Sequence, residues 1–175
     1  AKDRPANIET HFSFSMMDHI GFLKQNVQPS LGKIIKAKNN NLLISANDIV
    51  YIKPSGHNGL TAGGTYHVFS TIRVEKKIND RLFKGVKHLI NAQVKILENQ
   101  KDYVVASITH AYRPVNKGDR IMEYYKRTPV LTVKDHPDPI DARLICSEDN
   151  HLMINDHVIA FIDAGSDRVE PGQIY

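Results

Sequence analysis

Two stretches of this sequence, 110 residues apart, carry the same pattern. Residues 32–52 (Gly-Lys-Ile-Ile-Lys-Ala-Lys-Asn-Asn-Asn-Leu-Leu-Ile-Ser-Ala-Asn-Asp-Ile-Val-Tyr-Ile) align with residues 142–162 (Ala-Arg-Leu-Ile-Cys-Ser-Glu-Asp-Asn-His-Leu-Met-Ile-Asn-Asp-His-Val-Ile-Ala-Phe-Ile). Identities fall at Ile35/Ile145, Asn40/Asn150, Leu42/Leu152, Ile44/Ile154, Ile49/Ile159 and Ile52/Ile162, with Tyr51 opposite Phe161 and Leu43 opposite Met153. After a one-residue gap the match resumes at Gly56/Gly165, Leu60/Val169, Gly63/Gly172 and Tyr66/Tyr175. Each copy reads as a strand, a polar turn, a returning strand and a loop bearing glycine. Asn and Gly suit such turns because they tolerate positive φ. The second copy stops where the first enters the β-branched and aromatic run Tyr66–Ile72, so the 175 residues read as about one and a half units.

The rest of the chain is also patterned for strands. Lys33–Lys36, Leu42–Ile44, Ile49–Ile52, Tyr66–Ile72, Tyr103–Ile108 and Arg120–Tyr125 are short apolar or β-branched runs separated by Asn, Gly and Pro. Val86, His88, Ile90, Ala92, Val94 and Ile96 alternate at period two and predict a strand over 86–97, with Gly85 arguing against a helix there. Only Ser15 to Lys24, with Met16, His19, Ile20 and Leu23 on one face, suggests a short helix. The expectation is a mainly β protein of small barrel or barrel-like units, built from short antiparallel strands with little helix. The lack of strands alternating with long helices argues against a parallel βαβ fold.

Charge divides the chain. Residues 1–130 carry 20 Lys and Arg against 10 Asp and Glu, whereas residues 131–175 carry 3 against 9. Pro129 and His136-Pro137-Asp138-Pro139 lie near the change and favour extended backbone. The expected organisation is an N-terminal extension over 1–29, a first β unit over 30–127, a Pro-rich linker over 128–139 and the start of a second, homologous β unit over 140–175. The two halves carry opposite charge, so they are candidates to dock on one another. No apolar run is long enough to span a membrane as a helix. The chain begins at Ala1 without Met or an apolar leader, so any targeting signal is expected outside it.

A search for chemistry finds little. The single cysteine, Cys146, excludes an internal disulfide and a Cys-rich metal site. Nine histidines include no His-Glu-x-x-His and no His-x-His, so no metal or other cofactor is expected. Asp135, His136 and Asp138, and His157 after Asp156, read as solvated positions. Cys146 with His151 is the one nucleophilic pair to consider, but it lacks a Ser-His-Gly-Cys type surrounding, and Lys36 occupies the matching position in the first copy. There is no nucleophile elbow and no evident pair of carboxylates for glycoside hydrolysis. Gly59, Gly63, Gly118-Asp119, Gly165 and Gly172 read as structural turns, since no helix follows them to make a phosphate loop. Lys76, Lys77, Arg81, Lys84 and Lys87 form one basic cluster, and Lys126 with Arg127 another, so an anion or an acidic partner is the candidate ligand. Nucleic acid is the weaker version of that reading because no module signature is present, and exposed lysines also blunt strand edges.

The segments Leu31-Gly32-Lys33-Ile34, Asn41-Leu42-Leu43-Ile44, Asp48-Ile49-Val50-Tyr51-Ile52 and Gly59-Leu60-Thr61-Ala62-Gly63-Gly64-Thr65-Tyr66 together carry a resemblance. So do Ala92–Leu97, Val104–Ile108 and Pro114-Val115-Asn116-Lys117-Gly118-Asp119-Arg120-Ile121. The pattern resembles the β-rich region that follows the LysM module in bacterial LysM peptidoglycan-binding-domain-containing proteins, and is similar to the C-terminal domain of flagellar assembly protein T. It covers about residues 30–175. The resemblance implies an all-β, periplasmic or cell-envelope module that scaffolds or binds without catalysis. Its partner would be a cell-wall component or an envelope protein, reached through a LysM module outside this chain. Residues 1–30 lack the LysM pattern, so no residue inherits its glycan-binding role. The sequence also departs from the family over Glu75–Phe83, which is charged where a hairpin marked by Pro and Gly is expected. The alternatives are a nucleic-acid-binding β-barrel and a cell-wall enzyme using Cys146 and His151.

Overall fold

A computed structural model describes residues 10–40, 43–56, 59–78, 80–135, 139–151, 153–156, 158–165 and 168–174. The correspondences Leu42/Leu152 and Tyr66/Tyr175, the linker residues His136–Asp138, and His157 lie outside the described residues, as do residues 1–9 of the expected N-terminal extension.

The protein is mainly β. Its centre is a six-stranded antiparallel barrel made of β3 (Gly32–Ala37), β4 (Ile49–Pro54), β5 (Thr65–Ile78), β6 (Arg81–Asn99), β7 (Val104–Ala111) and β8 (Arg120–Glu123). Neighbours run β6-β5-β8-β3-β4-β7, and a β6–β7 pairing from Ala92↔Ala111 to Asn99↔Val104 closes the ring. Closure removes the exposed edges that an open sheet of this length would present. Period-two patterning explains the core, because alternate residues of each strand point inward. Ile34, Val50, Ile52, Val68, Ala92, Val94, Ile96, Val104, Ala106, Ile108 and Ile121 are buried together. A barrel of so few strands is filled by its own side chains and has no lumen.

Three features differ from the plain sequence expectation. First, Ser15–Lys24 is not a helix: a single 3-10 turn, Met17–His19, is followed by β2 (Phe22–Lys24). A helix this short is marginal alone, and β2 instead pairs with β6 through Phe22↔His88, Leu23↔Lys87 and Lys24↔Val86. Phe22 stacks on the His88 ring with centroids 4.4 Å apart and joins a second cluster of Phe69, Ile90 and Met122. Second, β5 and β6 form one ladder from Thr65↔Lys95 to Ile78↔Arg81. Beyond β8 and β2 its outer part pairs only with itself among the described residues, so the charged stretches 73–78 and 81–85 form a two-stranded arm. Third, the segments flanking the barrel are tied to one another. In the expected extension, β1 (His11–Ser13) pairs with β9 (Val130–Thr132) of the expected linker. In the same linker, β10 (Lys134–Asp135) pairs in parallel with β13 (Gln173–Ile174).

The acidic C-terminal stretch forms a separate two-stranded antiparallel sheet, β11 (Leu144–Ser147) with β12 (Ala160–Ile162). Its register is Leu144↔Ile162, Cys146↔Phe161 and Ser147↔Ala160, with an irregularity at the first step. In the barrel wall, β3 and β4 pair as Ile34↔Ile52, Lys36↔Tyr51 and Ala37↔Val50, with the irregularity at the same place. The turns agree as well. Lys38 N donates to Ile49 O and Glu148 N to Ile159 O, both at 2.8 Å. Asn40 and Asn150 have φ of 54° and 58°.

Candidate functional site

Ionisable residues of the two charge blocks meet where the turn of the acidic hairpin lies against the barrel. Strand alternation turns Lys87 of β6 toward this turn, and the side chain is 0% exposed. Its Nζ donates to Ser147 O at 3.1 Å, Glu148 O at 2.6 Å and Asn150 Oδ1 at 2.6 Å. A lysine ammonium has three donors and no acceptor, so these three oxygens match its full capacity. The Glu148 carboxylate, 3% exposed, accepts the backbone N–H of Gly21 through Oε1. Its Oε2 lies 3.2 Å from Arg113 Nη2, which also reaches Asp149 Oδ1 at 3.1 Å. Arg113 donates further to Ile90 O at 3.0 Å and His19 O at 3.2 Å. The planar guanidinium fork thus links the N-terminal segment, β6 and the acidic turn. In the first hairpin the same turn positions hold Lys38, Asn39 and Asn40, all exposed.

This seam changes the reading of the basic cluster. Lys87 is not a surface cation, because it lies where β6 is covered on both faces, between buried Val86 and His88, and its side chain ends on the acidic turn. Arg127 is also engaged: its Nη1 donates to Ile20 O at 2.7 Å and Met17 O at 3.3 Å, while its backbone N–H reaches Asp18 Oδ1 at 2.9 Å. Lys126 is exposed beside it. The structure places Lys76, Lys77, Arg81 and Lys84 together on the β5–β6 arm, with Arg73 beside them, and leaves Lys126 and Arg127 on the connection from β8 to β9. Directly opposed residues share a face, so Arg73, Glu75, Lys77, Leu82 and Lys84 lie on one side of the arm. On the other side, Lys76 Nζ donates to Leu144 O at 3.0 Å, which props the arm against the acidic hairpin. The exposed pairs Lys84–Glu75 at 3.9 Å and Lys77–Asp80 at 4.0 Å are too long and too solvated to neutralise the arm.

A polar and aromatic cluster surrounds Asp18. Its Oδ2 accepts from Tyr124 OH at 3.0 Å, and Gln93 Nε2 donates to Tyr112 OH at 2.7 Å. Burial pushes the Asp18 carboxyl up, but the Arg127 N–H and the Tyr124 hydroxyl outweigh it and hold Asp18 below the usual carboxylate value. Burial raises both Tyr124 and Tyr112, and the Asp18 charge adds to each. His19, His67 and His88 are all lowered, chiefly by burial.

Cys146 is half-buried on β11, and the neighbouring Ile145 and Ser147 are buried. His151 is exposed, lines a small cavity with Phe14, Met16 and His19, and accepts the Ser147 hydroxyl through its backbone oxygen. No hydrogen bond joins Cys146 to His151 among the described residues. Gly63, Gly118 and Gly172 have φ of 81°, 95° and 90°, the left-handed region that favours glycine. Gly59 packs against Leu31, and Gly165 O accepts the Arg168 N–H at 3.0 Å. Asp119 is buried, with Oδ2 accepting from Asn91 Nδ2 and Asn116 N, both at 2.9 Å, and burial raises its carboxyl despite those donors. No cluster of three or more His, Cys, Asp or Glu suited to a metal ion occurs among the described residues, and none of their helices is long and apolar enough to cross a membrane.

Sequence reasoning missed Arg113, Glu148 and Asp149 as partners. The only signal available was the opposite charge of the two blocks, which names no residue. Compared with protein-family models, curated proteins and solved structures, the chain shows no match.

Proposed function

We propose that this protein is a non-catalytic scaffold or binding module of the bacterial cell envelope, of the type that accompanies LysM peptidoglycan-binding modules, and that its β-arm engages an anionic wall component. The observation that carries this reading is a division of labour among the charges. Lys87, Arg113, Arg127, Glu148 and Asp18 are used up in joints of the fold, whereas Arg73, Lys77, Arg81 and Lys84 are exposed on a projecting ribbon. Buried ionisable groups with structural partners favour rigidity over chemistry, and Cys146 has no hydrogen bond to a base among the described residues. The shared register, turn bond and positive-φ Asn of the β3–β4 and β11–β12 hairpins support one unit used twice, in the barrel wall and on its flank.

Co-sedimentation with isolated cell-wall sacculi tests the proposal. Binding that is lost in the triple variant Lys77→Gln, Arg81→Gln, Lys84→Gln supports it. Failure to sediment, or sedimentation that the triple variant does not weaken, refutes it. The arm also keeps a nucleic-acid reading alive, because a two-stranded basic ribbon fits the major groove. Retention on duplex DNA with a steep salt dependence would favour that reading over the wall.

A further inference from the structure

The two matching hairpins turn opposite faces to solvent. In the first, Ile34, Ile44, Val50 and Ile52 are 1%, 5%, 0% and 0% exposed and belong to the barrel core. Their counterparts 110 residues on are Leu144, Ile154, Ala160 and Ile162. All four are exposed, Leu144, Ile154 and Ile162 to 41%, 44% and 40%. Ile145 shows the inversion from the other side. It is 3% exposed and lines a groove with Leu23 and Phe83, whereas its counterpart Ile35 lies on the outer surface beside Tyr51. Single exposed apolar residues are ordinary. Here Leu144 and Ile162 are directly opposed and Ala160 follows on the face of Ile162, so the face that fills the barrel in one copy is a solvent-facing patch in the other.

The backbone is open along the same strand. Glu148 N donates to Ile159 O and Asp163 N to Arg143 O. Residues 159, 161 and 163 therefore turn their peptide groups to β11, and Ala160 and Ile162 turn theirs away. In the first hairpin Lys38 N on Ile49 O sets the same phase, and the outward groups of Val50 and Ile52 meet Ala106 and Val104 of β7. No strand does this for Ala160 and Ile162: among the described strands β12 pairs with β11 alone, and no further backbone bond reaches either residue. The molecule itself thus shows what covers such an edge and such a face. It is an antiparallel strand whose buried residues are Val104, Ala106 and Ile108.

We propose that the β11–β12 hairpin is a docking site for an extended segment of a partner protein, which adds to β12 as an antiparallel strand, bonds to the peptide groups of Ala160 and Ile162, and lays alternate Val, Ile or Ala side chains over Leu144, Ala160 and Ile162. A second copy of the chain is the poorer occupant. Its β7 is already held on both sides, by β4 and β6. The strands left to it, β11 and β12, have four and three residues, against about 20–30 residues a side in a stable interface. The proposal uses none of the arm cations and does not rest on wall binding.

The probe is a capped peptide with the sequence of residues 103–111, titrated into the isotope-labelled full chain. Amide NMR should show saturable shifts at Ala160 and Ile162, and at saturation their exchange should slow about tenfold or more. The same peptide N-methylated at the positions of Val104 and Ala106 keeps the side chains and loses the donors, so it should bind about tenfold or more weakly. Ile162→Lys puts a charge at an exposed position of the face and should weaken binding likewise, with continued protection of the Glu148 N–H as the check that the hairpin is intact. The triple arm variant should bind the peptide unchanged. No saturable shift at Ala160 and Ile162, equal binding of the N-methylated peptide, or unweakened binding to Ile162→Lys each overturns the proposal. Protection of both amides without peptide, lost on dilution, assigns the edge to a second copy and overturns it too.

Discussion

Replacing Lys87 with Met tests the joint between the barrel and the acidic hairpin most directly. Met keeps most of the buried chain and removes the ammonium with its bonds of 3.1, 2.6 and 2.6 Å to Ser147 O, Glu148 O and Asn150 Oδ1. Hydrogen bonds to a charged group are worth about 1.5–3 kcal/mol each, so three amount to roughly 6 kcal/mol before opposing terms. Burying an ammonium costs several kcal/mol, which leaves about 3 kcal/mol of net docking energy. The loss should fall on the hairpin. Lys87 lies on β6, but its side-chain partners all belong to residues 147–150, and the β5–β6 ladder is made by backbone groups that Met retains. At about 1.36 kcal/mol per factor of ten, 3 kcal/mol is more than a hundredfold in the opening equilibrium. Native-state hydrogen exchange reads this residue by residue. The amides of β11 and β12, and Glu148 N–H on Ile159 O, should exchange about a hundredfold faster in Lys87→Met. Core amides such as those of Val50 and Ile52 should change little. Unchanged protection of β11 and β12 would refute the assigned role of Lys87. An equal loss across the barrel would refute the idea that the hairpin opens separately.

Three other perturbations have distinct outcomes. Asn40→Gly should change stability by no more than a few tenths of a kcal/mol, because glycine also accepts a φ of 54°. Asn150→Gly should cost about 1.5–3 kcal/mol because it also deletes the acceptor of Lys87, and equal effects in urea titrations would contradict the difference between the two turns. Gly21→Ala should destabilise by about 1–3 kcal/mol, since its Cβ would lie 2.2 Å from His88 O and 2.9 Å from Glu148 Oε1; a urea midpoint matching that of the unaltered protein would refute this close approach. His19, His67 and His88 are lowered by burial, and Lys24 and Arg120 lower His88 further, against its backbone partners. The unfolded chain therefore binds protons first as pH falls: the stabilisation is complete above about pH 6.5 and is lost progressively below it. The urea midpoint should fall from pH 7 to pH 5, and less steeply in His88→Gln, which also loses the Gln28 N–H bond to His88 Nε2; a midpoint independent of pH would refute the reasoning.

The barrel wall was legible because its information is local. Val50 and Ile52, or Val104, Ala106 and Ile108, alternate with exposed or half-buried neighbours, and period two is the signature of a strand with one buried face. The β2 strand was not legible. Phe22–Lys24 is too short to show a period, and its conformation is set by β6, more than sixty residues away in sequence. The arm was half legible: its charge was plain, but its two-stranded form depends on continuing the β5–β6 ladder past the last barrel neighbours. Lys87 was misplaced for the same reason that the arm was found. A run of cations reads as one patch in sequence, yet neighbours on a strand face opposite ways, so Lys84 meets solvent while Lys87 meets the acidic turn.

That last difference explains why two hairpins with matching register sit in different surroundings. Both have the irregularity at the same step, both close with a 2.8 Å bond at the mouth of the turn, and both place Asn at positive φ. Backbone geometry therefore does not choose where a hairpin goes. The turn side chains differ: Lys38 and Asn39 in one, Glu148 and Asp149 in the other. Exchanging a lysine for a carboxylate beside Arg113 replaces repulsion by a buried pair at 3.2 Å, and breaking such a pair costs about 3–5 kcal/mol. The cationic turn gains nothing from this socket, and its strands find partners in β7 and β8 instead. The acidic turn fits the socket, with β11 and β12 paired only to each other among the described strands. Charge at two turn positions, together with the core-forming Ile34 and Val50 against exposed Leu144 and Ala160, thus separates the hairpin in the wall of the barrel from the one on its flank.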